Sequence, residues 1–134
     1  MPLDEGLALR EVLLVINDAP YRSALGGALR SAGLRPIEVA TPIAALDIVD
    51  QAPGVDLAVV DIDTLPKTLN AVAFARMMKV RKPTARLVLT VQHADDTAPL
   101  DERETELFQD IVFKGVDPAA TAAGILRSLE LGQR

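Results

Sequence analysis

The stretch "VDLAVVDIDTLP", Val55 to Pro66, sets an apolar run against two aspartates one residue apart. Leu57 to Val60 suit a strand buried among other strands and helices. Asp61 and Asp63 have no packing use there. They mark either the point where the strand leaves the core or a place of chemistry.

Working outward, apolar runs alternate with helical patterns along the whole chain. "EVLLVI", Glu11 to Ile16, is a continuous run of the kind expected of a strand covered on both faces. Tyr21 to Leu34 then puts Leu25, Ala28, Leu29 and Ala32 on one helical face, with Gly33 near its end. "PIEVA" reads as a short second strand near a sheet edge, because it opens with Pro36. Thr41-Pro42 joins an N-cap to a proline at the first helical position, and Ala45, Ile48 and Val49 face inward. That helix stops before Pro53-Gly54.

Beyond Pro66 the spacing predicts a helix over Leu69 to Val80, a strand "ARLVLTV", and a weaker helix over Pro99 to Phe108. "DIVF" is a fifth strand, and Asp117-Pro118 starts a last helix burying Ala122, Ile125, Leu126 and Leu129. Five strands alternating with five helices predict an α/β protein, a parallel sheet covered on both sides. The right-handed crossover rule favours the doubly wound, flavodoxin-like order 2-1-3-4-5. Its switch point lies between strands 1 and 3, where ligands bind beyond the carboxyl ends of the strands.

Composition narrows the function. The 134 residues predict a single domain over 1–134, with 1–9 a short N-terminal extension. A net charge of −5 and a pI near 4.8 argue against direct nucleic-acid binding. With no cysteine, thiolate chemistry and disulfides are excluded. The start "MPLDEGLALREV" has no signal-peptide pattern, and no run is long enough for a membrane span, so a cytoplasmic protein is expected.

The strand ends carry the chemistry. Strand 1 ends in Asn17-Asp18, strand 3 in Asp61, strand 4 in Thr90 and strand 5 in Lys114. Two carboxylates about 4 Å apart repel by roughly 4 kcal/mol at an effective dielectric near 20. A divalent cation between them relieves that cost, and oxygen-only ligands point to Mg²⁺. A cation, a hydroxyl and a lysine around a carboxylate are equipped to hold a phosphoryl group, with Asp61 as nucleophile. The alternative is that Asp18 and Asp61 merely cap the next loop or helix. For Thr90 it is a backbone-satisfying strand residue, and for Lys114 a solvated lysine after an edge strand.

These motifs, "VLLVINDAP", "DLAVVDIDTLP", "RLVLT" and "IVFKG", make the chain resemble a two-component response-regulator receiver domain (CheY-like) over nearly its whole length. The successive separations of 43, 29 and 24 residues, from Asp18 to Asp61, from Asp61 to Thr90 and from Thr90 to Lys114, agree with that resemblance. It implies that Asp61 accepts a phosphoryl group from a histidine kinase or phosphotransfer protein. It further implies that Asp18, Asp61 and the Asp63 backbone carbonyl hold Mg²⁺, with Asn17 acting through water. Thr90 would follow the phosphoryl group and Lys114 would pair with it. The module would signal to a downstream protein target and not act as an enzyme. It would be a monomer, or a homodimer through the face of helix 4, strand 5 and helix 5.

Several residues depart from the family pattern. Asn17 replaces the first acid of a pair, Val91 follows Thr90 where Ala or Gly is usual, and Gly115 replaces a proline. Ile111 takes the place of the switch Tyr or Phe, and Pro66 lies one residue late. Lacking a ring and a hydroxyl, Ile111 is expected to stay buried, leaving any switching to the loop after Thr90 and the helix to Phe108. These departures support a rival reading, a non-phosphorylated pseudo-receiver interaction domain. A flavodoxin-like enzyme or ligand binder is disfavoured, since no glycine-rich phosphate loop follows strand 1. No effector domain follows Arg134, so output is expected through a partner unless the chain is a segment of a larger regulator. His93 reads as a solvated loop residue, Met77 and Met78 as core filler, and Asp101 to Glu106 as an exposed helix face.

Overall fold

Runs rich in Val and Leu, cut off by polar residues and helix caps, form five strands in the computed structural model. These are β1 (Glu11–Val15), β2 (Arg35–Val39), β3 (Val55–Asp61), β4 (Arg86–Val91) and β5 (Asp110–Phe113). The structure describes residues 10–52, 54–65, 70–92, 100–114 and 117–132, and in 129–132 the backbone alone. Every pairing is parallel and the order is β2-β1-β3-β4-β5, as the sequence predicts. The helices are α1 (Ala19–Ser31), α2 (Pro42–Gln51), α3 (Ala71–Arg81), α4 (Glu102–Thr105) and α5 (Pro118–Gly132), with a 3₁₀ turn at Ile62–Thr64.

Strand alternation splits the core into two layers. Leu13, Val15, Ala58, Val60, Leu87 and Leu89 face one way, against Ala45, Leu46 and Val49 of α2 and Phe74, Ala75 and Met78 of α3. Val12, Leu14, Leu57, Val59 and Val88 face the other way, against Leu25 and Leu29 of α1 and Ala122 and Ile125 of α5. Successive strand residues point to opposite faces, so helices must cover both.

Local capping explains where the helix boundaries differ from expectation. α1 begins at Ala19, before Tyr21, because Asp18 Oδ1 accepts the Tyr21 amide at 3.2 Å. It ends at Ser31 in a Schellman turn: Gly33, at φ 93°, donates to the Arg30 carbonyl and Leu34 donates to the Leu29 carbonyl. α3 runs to Arg81 and is capped by Asn70, whose Oδ1 accepts the Ala73 amide. The helix expected to end at Phe108 is only four residues long. A reciprocal capping box between Asp101 and Glu104 starts it, and tighter bonds from Leu107 and Phe108 close it.

Burial corrects three further expectations. Met78 is buried, but Met77 and Val80 on the same helix are exposed. Ile48 and Leu126 are half-buried against the core, not fully inward. Ile111 is also half-buried, because it lies on the edge strand β5 where cover comes from one neighbour strand only. Leu69, Pro53, Pro66, His93, Pro99, Gly115, the Leu129 side chain and residues 1–9 lie outside the described residues. No helix among the described residues is long and apolar enough to cross a membrane.

α5 packs tightly on the sheet at Gly124, where an added Cβ would lie 2.8 Å from Val112 Cγ1. Val is stiff about χ1, so it cannot swing clear within the sheet. Gly124→Ala gains up to about 1 kcal/mol of helix propensity and loses about 1–3 kcal/mol by overpacking. The net expectation is a lower urea midpoint with an unchanged slope. A raised midpoint would mean that Val112 yields easily.

Candidate functional site

Register builds the site. Asp61 of β3 lies directly beside Thr90 of β4, and Thr90 lies beside Val112 of β5. Lys114 follows Val112 by two residues, so the period-two alternation returns its side chain to the same face. Asp61 and Thr90 are 2 % and 1 % exposed, an unusual burial for a carboxylate.

Both Asp61 oxygens are engaged. Oδ1 accepts the Thr90 hydroxyl at 3.2 Å, and Oδ2 accepts Lys114 Nζ at 3.0 Å. The same ammonium lies 3.7 Å from Oδ2 of Asp63, whose side chain is exposed. Thr90 Oγ1 also reaches the Val60 carbonyl at 3.4 Å. The structure therefore brings together Asp61, Asp63, Thr90 and Lys114. The lysine is neither solvated nor idle.

The first-strand pair is placed differently. Asn17 donates its backbone N–H to Thr64 Oγ1 at 2.8 Å and its side-chain amide to the Ala40 carbonyl at 3.4 Å. This ties the turn after β1 to the turn after β3. Asp18 is exposed and caps α1, as the capping alternative for that residue anticipated. No group of three or more acidic or histidine side chains suited to a metal occurs among the described residues.

Two groups that sequence reasoning passed over adjoin the site. Lys114 Nζ stands over the Tyr21 ring, 5.2 Å from its centroid. The Tyr21 and Thr121 hydroxyls hydrogen-bond at 2.6 Å, and Thr121 is fully buried on α5. The signals were slight: Tyr21 is the only tyrosine and follows the N-cap by three residues.

Burial pushes the Asp61 carboxyl up from its ordinary value, with Asp63 adding to the rise, while Lys114 and Thr90 oppose it. Burial alone would lower Lys114, but Asp61 and then Asp63 overcome it and hold the ammonium above its usual range. Two carboxylates and the Tyr21 ring all favour the charged form of the lysine. Burial also raises the Tyr21 phenol.

Lys114→Met removes the cation from a buried carboxylate. The folded-state Asp61 value then rises further above its unfolded value, so the molecule must hold an unpaired charge at neutral pH. That destabilisation disappears as the pH falls through the raised value and Asp61 takes up a proton. Urea titrations should show a loss of about 3–5 kcal/mol near neutrality and a smaller one in mild acid. Equal losses at both would place the cause outside the pair.

The chain matches no family model and no curated protein. It is similar in structure to a response-regulator receiver domain (CheY-like) from Methylobacillus flagellatus. The two are 23 % identical with a TM-score of 0.74, over 90 % of this chain and 98 % of that one. The response regulator TrrA from Thermotoga maritima, solved in complex with Mg²⁺–BeF, is 17 % identical with a TM-score of 0.74, over 90 % and 99 % of the two chains. A structure from streptococci, described as a redox sensor evolved from two-component response regulators, is 18 % identical with a TM-score of 0.77. There the match covers 93 % of this chain and 53 % of that one. The chain has the fold of the CheY-like response-regulator receiver domains.

Proposed function

We propose that the chain is a phosphoacceptor module of two-component signalling, taking a phosphoryl group onto Asp61 and signalling by protein–protein contact. One observation carries this reading. A carboxylate buried at the switch edge of the sheet is held by a lysine at 3.0 Å and a hydroxyl at 3.2 Å. The donor is a histidine kinase or phosphotransfer protein, and the readers are a downstream protein or a second copy through α4, β5 and α5.

In the transfer, an Asp61 oxygen attacks the phosphorus of a phosphoimidazole. The P–N bond breaks as the P–O bond forms, and the imidazole leaves with the electron pair. Lys114 neutralises charge on the equatorial oxygens, and the Thr90 hydroxyl turns from Asp61 Oδ1 to one of them. Each Asp61 oxygen accepts one hydrogen bond from a described residue and has a second lone pair. Asp61, Asp18 and the Asp63 carbonyl, with Asn17 through water, would hold Mg²⁺, whose preference for oxygen ligands these donors meet. Bound there, Mg²⁺ would supply charge neutralisation.

Asp61→Asn should abolish labelling. After treatment with acetyl phosphate and Mg²⁺, intact mass should show one added phosphoryl group on the wild type and none on the variant. Identical masses, where a control receiver is labelled, would defeat the reading.

Asn17 limits the cation. It brings an amide in place of a charge, so Mg²⁺ binding is weak, and Asn17→Asp should tighten it. NMR titration reads this as Mg²⁺-dependent shifts around Asp18 and Asp61. Their absence in both proteins would remove the metal site.

A second reading, the non-phosphorylated interaction domain, draws on Lys114 closing over Asp61 and Asp63 together. The streptococcal neighbour is a redox sensor, so the fold does not decide between the two readings. Failure of labelling with Lys114 intact is the outcome that favours the second.

A further inference from the structure

Tyr21 stands in the first turn of α1 and meets two other elements at once. Lys114, just past β5, is over its ring at 5.2 Å, and Thr121 of α5 shares a 2.6 Å hydrogen bond with its hydroxyl. The face of an aromatic ring attracts an ammonium, more strongly where water is excluded. The Lys114 side chain is 10 % exposed, with carboxylates on one side and the ring on another. The hydroxyl end is equally constrained, because Thr121 has no solvent exposure.

We propose that Tyr21 is a positioning residue that holds Lys114 toward Asp61, and that its bond to Thr121 couples the ammonium's position to the packing of α1 against α5. Whatever changes the charge at Asp61 changes the pull on Lys114. A displaced ammonium leaves the ring, and the ring carries the Thr121 hydroxyl with it. Ile111, half-buried on β5, has no ring to perform such a movement. Tyr21 thus supplies an aromatic lever on the opposite face of the sheet from the core that Ile111 packs against. Use of this lever for output rests on Asp61 accepting a phosphoryl group; the positioning role does not.

The sole tyrosine permits a clean test. The full chain is labelled with 3-fluorotyrosine and followed by ¹⁹F and ¹H–¹⁵N NMR, without phosphodonor. Asp61→Asn, which removes the charge that anchors Lys114, should move both the fluorotyrosine resonance and the Thr121 amide. In a Thr121→Val background the fluorotyrosine shift should persist while the α5 response is lost. Thr121→Ser, which keeps the hydroxyl, should restore it. Tyr21→Phe, which keeps the ring, should likewise abolish the Asp61→Asn response at Thr121. An equal Thr121 response in the tyrosine and phenylalanine backgrounds would overturn the hydroxyl coupling. A fluorotyrosine resonance indifferent to both Asp61→Asn and Lys114→Met would overturn the positioning role. None of these readings requires phosphorylation, so a chain that takes no label still decides them, and labelling by acetyl phosphate is judged separately.

Discussion

The ion pair between Asp61 and Lys114 is the constraint around which the carboxyl edge of the sheet is arranged. A carboxylate exposed by only 2 % costs several kcal/mol unless charge and hydrogen bonds compensate it. The compensation arrives from two different strands, Thr90 on β4 and Lys114 beyond β5. It therefore depends on register. With Asp61 beside Thr90 and Thr90 beside Val112, all three polar groups fall on the α1–α5 face. A slip of one residue would turn Asp61 into the opposite apolar layer, against α2 and α3, with no partner. The pair thus specifies alignment as well as requiring it.

The sheet was legible because its strands are continuous apolar runs separated by helix-length intervals, and the right-handed crossover rule leaves few orders. Helix ends were less legible because capping competes with periodicity. Asp18 starts α1 ahead of the first apolar position, and the Asp101–Glu104 box confines α4 to one turn although apolar Leu107 and Phe108 follow. Burial was hardest at sheet margins. Met77 and Met78 are adjacent in sequence but about 100° apart around α3, and only Met78 meets the core. Ile111 and Phe113 sit on an edge strand, where apolar character does not guarantee cover.

In the site, the residues at the ends of β3 and β4 and just past β5 were readable, since topology alone brings strand ends together at a switch point. Asp18 was readable as a helix cap, whereas the partners of Asn17 were not readable. Asn17 holds the turns after β1 and β3 together through Thr64 and Ala40, and Asp18 serves its own helix. Tyr21, Thr64 and Thr121 were not readable at all. Thr64 and Thr121 act through one hydroxyl and Tyr21 through a ring and a hydroxyl, and no spacing distinguishes such contacts from those of an ordinary polar surface residue.

Charge balance links the site's composition to the cation that the proposed acyl phosphate would need. Asp61, Asp63 and Lys114 together carry one net negative charge, and the lysine serves both carboxylates. An acyl phosphate replaces the Asp61 carboxylate charge with about −1.5 to −2 at neutral pH. One ammonium cannot match that while also pairing Asp63, and the low local polarity that strengthens the ion pair strengthens the mismatch equally. A phosphorylated Asp61 would thus call for a second cation, whereas the resting site keeps a net charge of one negative unit, with its ammonium already shared between both carboxylates. On the proposed reading Asn17 would weaken the affinity for that cation, while the resting pair is held by Thr90 and Lys114 without it. The carboxylate–lysine pair and the cation are therefore separate measurements, the first reading the resting site and the second the charged state that the proposed function requires.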